Sequence, residues 1–303
     1  MTDGAYPAYR RLLSDGGLEE RSSRLLGKLA SCDLCPRLCG VDRTAGELGL
    51  CKGGSRASVS SFGPHYGEER PLVGNGGSGT VFFAGCNLGC CFCQNYEISH
   101  LCEGREASAE DLAATMLRLQ EMGCHNVNLV TPTHFVPQIV EAVKLAASGG
   151  LHLPIVYNCG GYERVETLRL LDGIIDIYMP DFKFWSADSS DRYLNAPDYP
   201  EVTRSALKEM QRQVGDLVIR NGLALRGLLI RHLVMPGHLE DSRRILEFLA
   251  GEISKAAFVN VMPQYRPCYR SDEFPEIARR PTHEEFIRVL HLGDRAGLTR
   301  ISC

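Results

Sequence analysis

The chain has 303 residues, 44% of them hydrophobic and 23% charged, with a formal net charge of -4. That balance excludes disordered and fibrous classes, and the scattered basic pairs under a net negative charge argue against a nucleic-acid partner. No apolar run approaches the roughly 18 residues of a membrane span and the first residues carry no apolar signal region, so a cytoplasmic protein without a membrane partner is expected.

Thirteen cysteines are present. In a reducing compartment an odd count, with seven residues in two tight sets, points to metal rather than disulfides. In chain order, a short helix is predicted at Leu18–Leu29, followed by the first cysteine set, Cys32-x2-Cys35-x3-Cys39-x11-Cys51. Turns at Pro36, Gly40, Gly46 and Gly49 allow these four thiols to close on one centre, zinc or an auxiliary Fe–S cluster, with free buried cysteines as the alternative. Residues 1–73 are read as a small N-terminal cysteine-rich segment and residues 74–303 as the core. The connector Gly74–Gly79 has the form G-x-G-x-x-G, but it precedes a strand instead of following one, so it is read as a flexible hinge and not as a dinucleotide loop.

The core alternates apolar runs with amphipathic stretches. Strands are predicted at Thr80–Ala84, Val127–Val130, Pro154–Asn158, Ile174–Met179, Gly227–Val234 and Phe258–Met262. Helices are predicted from a capping box at Ser108 and Asp111 to Gly123, and at Pro137–Ser148, Val165–Leu171, Glu201–Val214, Glu240–Ile253 and His283–Ala296. Runs that are apolar throughout belong to a parallel sheet covered by crossover helices. Six such units are too few for a closed eightfold barrel, so the fold expected is α/β, a partial (β/α)6 barrel with ligands at the carboxyl ends of its strands.

Directly after the first predicted strand lies Gly85-Cys86-Asn87-Leu88-Gly89-Cys90-Cys91-Phe92-Cys93. Cys86, Cys90 and Cys93 can converge if the loop curls, which Gly85 and Gly89 permit, whereas Cys91 diverges from its neighbour and is read as a non-ligand. Three thiolates on a [4Fe-4S] cluster leave one iron without a protein ligand. A structural zinc, the alternative, needs a fourth ligand that the loop lacks.

Together with this loop, five segments resemble the radical SAM superfamily and, within it, the PflX-type homologues of pyruvate formate-lyase activating enzymes. They are residues 32–39 (CDLCPRLC), 128–134 (NLVTPTH), 157–162 (YNCGGY), 178–183 (YMPDFK) and 262–267 (MPQYRP). The resemblance implies an oxidoreductase that binds S-adenosylmethionine (SAM) at the open iron and cleaves it reductively to a 5′-deoxyadenosyl radical. It further implies a reductant such as flavodoxin or ferredoxin and a glycyl radical enzyme as protein substrate. A small molecule or another peptide site is the variant reading, and a non-catalytic Fe–S or zinc electron-transfer module the reading from a different class.

The resemblance also implies a SAM site. The loop that meets SAM's amino group in the activating enzymes corresponds to Thr131-Pro132-Thr133-His134, which reads equally as a capping turn before Pro137. Met179, Asp181 and Lys183 are spaced two apart, so an extended chain points them to one side. A similar Met-x-Asp-x-Lys arrangement helps place SAM and a monovalent cation in those enzymes, with further cation ligands at the positions of Asn158 and Cys159. An Asp181–Lys183 ion pair is the structural alternative. Arg231 resembles an arginine that contacts SAM, and a guanidinium suits a carboxylate; a charge snorkelling from the strand is the other reading.

Overall fold

The computed structural model describes residues 6–303. Its strands are β1 (Ala57–His65), β2 (Ser78–Phe83), β3 (Arg105–Ala107), β4 (Val127–Val130), β5 (Ile155–Cys159), β6 (Ile177–Pro180), β7 (Val218–Arg220), β8 (Leu223–Leu233), β9 (Phe258–Met262) and β10 (Arg300–Ser302). They form one open sheet in the order β10-β9-β8-β6-β5-β4-β2-β1-β3, with β7 paired to β8. The six predicted strands are the parallel succession β2, β4, β5, β6, β8 and β9, so the molecule is the expected α/β partial barrel.

Helices cover one face of this sheet. Val81, Phe83, Leu129, Tyr157, Tyr178, Leu228 and Ile230 join residues such as Met116, Ile139 and Leu207 in one apolar cluster. On the inner face Val156, Ile177, Met179 and Leu229 form a second cluster, plugged by Leu72 and Leu217. Because strand side chains alternate, the next inward positions toward the carboxyl ends are Asn158, Asp181 and Arg231. The inner face is thus apolar at its base and polar at its open end, which is why the strands read as nearly continuous hydrophobic runs.

Helix ends follow local chemistry. Ser108 accepts the Asp111 amide at 3.2 Å and Asp111 accepts the Ser108 amide at 2.9 Å, closing the predicted capping box of helix Ala109–Glu121. Thr282 and Glu285 close a second box on helix His283–Ala296. The predicted Glu240–Ile253 helix ends as α-helix at Phe248 and continues as a π-helical turn, Leu249–Ile253.

Two sequence expectations change. The connector 74–79 is not a hinge: a Cβ at Gly76 would lie 2.1 Å from the Gly123 carbonyl oxygen, and one at Gly79 2.5 Å from that of Asn126. Its glycines permit close backbone approach, and Gly79 already belongs to β2. The sheet also begins before the connector, because β1 runs antiparallel to β2. Its Ser, Gly and Pro residues hid it, an edge position tolerating what a central strand does not.

Candidate active site

The loop after β2 is held from several sides. Gly85 has φ +82, and a Cβ there would lie 2.2 Å from the Cys51 carbonyl oxygen, so only glycine fits. The Gly89 and Cys91 amides donate to Leu194 and Tyr193 carbonyls at 3.0 and 2.9 Å, and Arg37 Nε donates to the Asn87 carbonyl at 3.0 Å. Cys90 is buried, while Cys86 and Cys93 are half-buried. The Leu88 amide donates to Cys86 Sγ at 3.4 Å, and Cys93 Sγ lies 3.0 Å from Ser99 Oγ. Contacts of this kind tune the sulfurs of a cluster.

Burial pushes the Cys86 thiol up to about 12 and Cys90 well above its ordinary value, the charge of Lys183 working against burial at both. Such thiols keep their protons at neutral pH unless a metal cation replaces them, and coordination does that. Three thiols on one loop are a donor set that fits an Fe–S cluster, whereas the burial shift alone, which Cys159 shares, does not distinguish a ligand. Cys91, also raised by burial, has Arg270, Glu273 and Arg192 as its charged neighbours.

Four of the six expected strand-end residues meet around Asp181. Arg231 Nε donates to Asp181 Oδ1 at 2.8 Å, and Lys183 Nζ donates to Oδ2 at 2.6 Å. A terminal Arg231 nitrogen donates to Asn158 Oδ1 at 2.7 Å. Burial alone would raise the Asp181 carboxyl, but Arg231 and Lys183 hold it below the usual range. The ion pair foreseen as an alternative exists, and Arg231 extends it. Met179 is not in this network; it is fully buried in the apolar cluster beneath it.

Thr131 lies at the end of β4 with φ +60, its amide donating to the Asn158 carbonyl at 2.8 Å. A β-branched residue rarely adopts that conformation, and strain of this kind is often held where function needs it. The capping-turn reading also holds, since the one-turn 3-10 helix Thr133–Phe135 leads straight into helix Val136–Ser148.

Three acids were not foreseen. Glu68, lifted by burial to about 7 against the pull of Arg231, stands 3.8 Å from that guanidinium. Glu69 accepts from Asn260 Nδ2 at 2.9 Å. Both precede the short helix Arg70–Val73, where no periodic pattern marks them. Glu163 is buried and accepts from Thr133 Oγ1 at 2.6 Å and Tyr157 Oη at 3.0 Å, and burial lifts its carboxyl to about 7. Its signal was position alone, four residues past β5.

A cleft of about 490 Å3 opens on the outer side of the cysteine loop, lined by Cys86, Gly89, Cys91, His100, Arg192 and Tyr269 among others. The second cysteine set also has its own space: Cys32, Cys35, Cys39 and Cys51 line one small cavity with Arg37, Arg43 and His134. Among the described residues, no three His, Cys, Asp or Glu side chains are gathered closely enough for a single metal ion, and no helix is long and apolar enough to cross a membrane.

An open parallel α/β barrel with a three-thiol loop at the end of its first parallel strand and a charged network at neighbouring strand ends defines an Fe–S enzyme fold. Residues 80–249 match the radical SAM superfamily. The chain belongs to that superfamily, whose members use a [4Fe-4S] cluster and SAM. It is 33% identical over 282 residues to an uncharacterized protein of Methanocaldococcus jannaschii, covering 89% of this chain and 76% of that relative. It is 32% identical over 120 residues to the pyruvate formate-lyase-activating enzyme of Clostridium pasteurianum, covering 36% of this chain and 50% of that enzyme. Among solved structures, HydG, a maturase of the [FeFe]-hydrogenase, superposes with a TM-score of 0.48 at 15% identity, over 72% of this chain and 48% of that one.

Proposed function

We propose that Cys86, Cys90 and Cys93 hold the cluster as thiolates and that Thr131, Asn158, Asp181, Lys183 and Arg231 orient SAM beside it, with Met179 supporting them from below. The observation that carries this reading is the place of Lys183. Its ammonium is 2.6 Å from Asp181 at the strand ends, and its charge opposes the burial that raises Cys86 and Cys90, which supports reading the thiol loop and the charged network as one site. When bound, the reduced cluster and SAM supply methionine and a 5′-deoxyadenosyl radical for hydrogen abstraction. The chain's residues contribute orientation. Asp181 fixes Arg231 and Lys183, and these cations would hold the carboxylate of SAM's methionine part.

The radical's target, in this reading, is a glycyl residue of a partner protein, with flavodoxin or ferredoxin as the electron donor in the cytoplasm. The similarity to an activating enzyme supports it. So does the cleft beside Cys86, whose volume and polar rim, including Lys52, Asp191 and Arg270, suit a polypeptide loop. Of the cysteine-rich segment read at residues 1–73, the part from residue 6 up to β1 then serves as a support for the catalytic core, whose sheet already includes β1.

The test is anaerobic incubation of the reconstituted, reduced enzyme with SAM and a candidate glycyl radical enzyme carrying deuterated glycine. Deuterium in 5′-deoxyadenosine with a glycyl electron-spin signal is expected. 5′-Deoxyadenosine that takes deuterium only from a small molecule or a different residue type would replace the target while leaving the SAM chemistry in place.

A further inference from the structure

We propose that Cys32, Cys35, Cys39 and Cys51 bind a second metal centre as four thiolates, with Arg37 and Arg43 as its built-in counter-charges. The four thiols line one cavity although Cys51 is separated from Cys39 by eleven residues. Arg43 is only 1% exposed, yet its donors reach main-chain oxygens of Gly54 and His134, at 2.7 Å for the closest, and Cys32 Sγ at 3.9 Å. Arg37 Nε is taken by the Asn87 carbonyl, while a terminal nitrogen of Arg37 is buried without a hydrogen-bond partner. Among the described residues the hydrogen-bond partners of both guanidinium groups are main-chain oxygens and Cys32 Sγ, with no carboxylate. A buried guanidinium without an anion, as at Arg43, is costly, and the half-buried Arg37 adds a second positive charge beside the same cavity.

The four thiols resolve that imbalance once a metal deprotonates them. Four thiolates around one zinc, or around a [4Fe-4S] core in its resting state, make a dianion, and two guanidinium groups balance it. His134 adds a polar group to the same wall: its Nε2 donates to the Ala84 carbonyl at 2.8 Å, and its Nδ1 is buried and unpartnered. The site abuts the catalytic loop through the Cys51 carbonyl under Gly85 and through Arg37 on Asn87. It stands apart from the SAM reading, which uses none of its residues.

Iron, acid-labile sulfide and zinc are measured on the full-length, anaerobically purified chain and on C86A/C90A/C93A. The wild type is expected to carry, beyond the loop cluster, about one zinc or about four further irons with sulfide. The triple variant retains only that extra metal, and C32S/C35S loses it. Zinc identifies a single ion, iron with sulfide a cluster, and either supports the site. A wild type holding only about four irons and no zinc overturns the site even if the triple variant does not fold. Arg43→Met should release the extra metal at least about tenfold faster to a chelator and Arg43→Lys should restore part of the retention; unchanged release in Arg43→Met overturns the counter-charge role.

Discussion

The two cysteine sets are built from the same side chain and lie against one another, yet their surroundings differ. The loop set has three thiols, faces a cleft at Cys86 and has the cation Lys183 nearby, itself tied to Asp181. The N-terminal set has four thiols in a small cavity with two arginines held by carbonyls. Number separates the proposed roles: three thiolates would leave room for a substrate at the metal, whereas four, one of them the exposed Cys39, would leave none. Cysteine count alone would have ranked the quartet as the stronger site, and the neighbours reverse that order.

The sharpest way to break this contrast is to remove thiols from the loop. Replacing Cys86, Cys90 or Cys93 with Ala should abolish the loop cluster's absorbance and 5′-deoxyadenosine formation, read by anaerobic spectroscopy and chromatography. Activity surviving in any of the three would reassign the ligands. Smaller losses are expected from the network proposed to orient SAM. Asp181→Asn or Arg231→Ala should slow 5′-deoxyadenosine formation by about ten- to a hundredfold with cluster spectra unchanged, because misplacement by about 1 Å costs that much. Wild-type rates in both would remove these residues from the site.

A milder change probes the wall between the sets, where Glu163 lies within electrostatic reach of Cys35. Burial lifts its carboxyl from 4.5 to about 7. Between those values the folded protein keeps a proton that the unfolded chain releases. The stabilisation is therefore fully present below about pH 4.5 and is lost as pH rises through about 7, on the order of 3 kcal/mol. Glu163→Gln should flatten that part of the pH dependence, measured by thermal unfolding of the reconstituted protein from pH 5 to 8. An identical fall in wild type and variant would contradict it. The smallest effect is expected at Cys91, whose replacement by Ala should leave cluster content unchanged by iron analysis, in keeping with its Arg270, Glu273 and Arg192 surroundings.

Much of this was legible from residues. Both cysteine sets, all six parallel strands and the Ser108 cap follow from spacing and local chemistry. Asn158, Asp181, Lys183 and Arg231, all of which came from family resemblance and only Asp181 and Lys183 also from spacing, meet because parallel strands in register bring their ends level. What sequence could not show depends on long-range packing. Glu68 and Glu163 acquire their character only from burial, and the connector glycines read as flexibility until the backbone at Gly123 and Asn126 is placed against them. The burial of Arg43 at the quartet was not legible either, since nothing local tells a buried guanidinium from a solvated one.

The central claim, that loop thiols and strand-end network form one SAM-cleaving site, is tested most directly by reducing the cluster-loaded wild type with dithionite in the presence of SAM and measuring 5′-deoxyadenosine and methionine. Equal amounts of both are predicted, falling sharply in Asp181→Asn while the cluster spectrum stays constant. A fully loaded cluster that yields neither product, with candidate partner proteins supplied, would contradict the account.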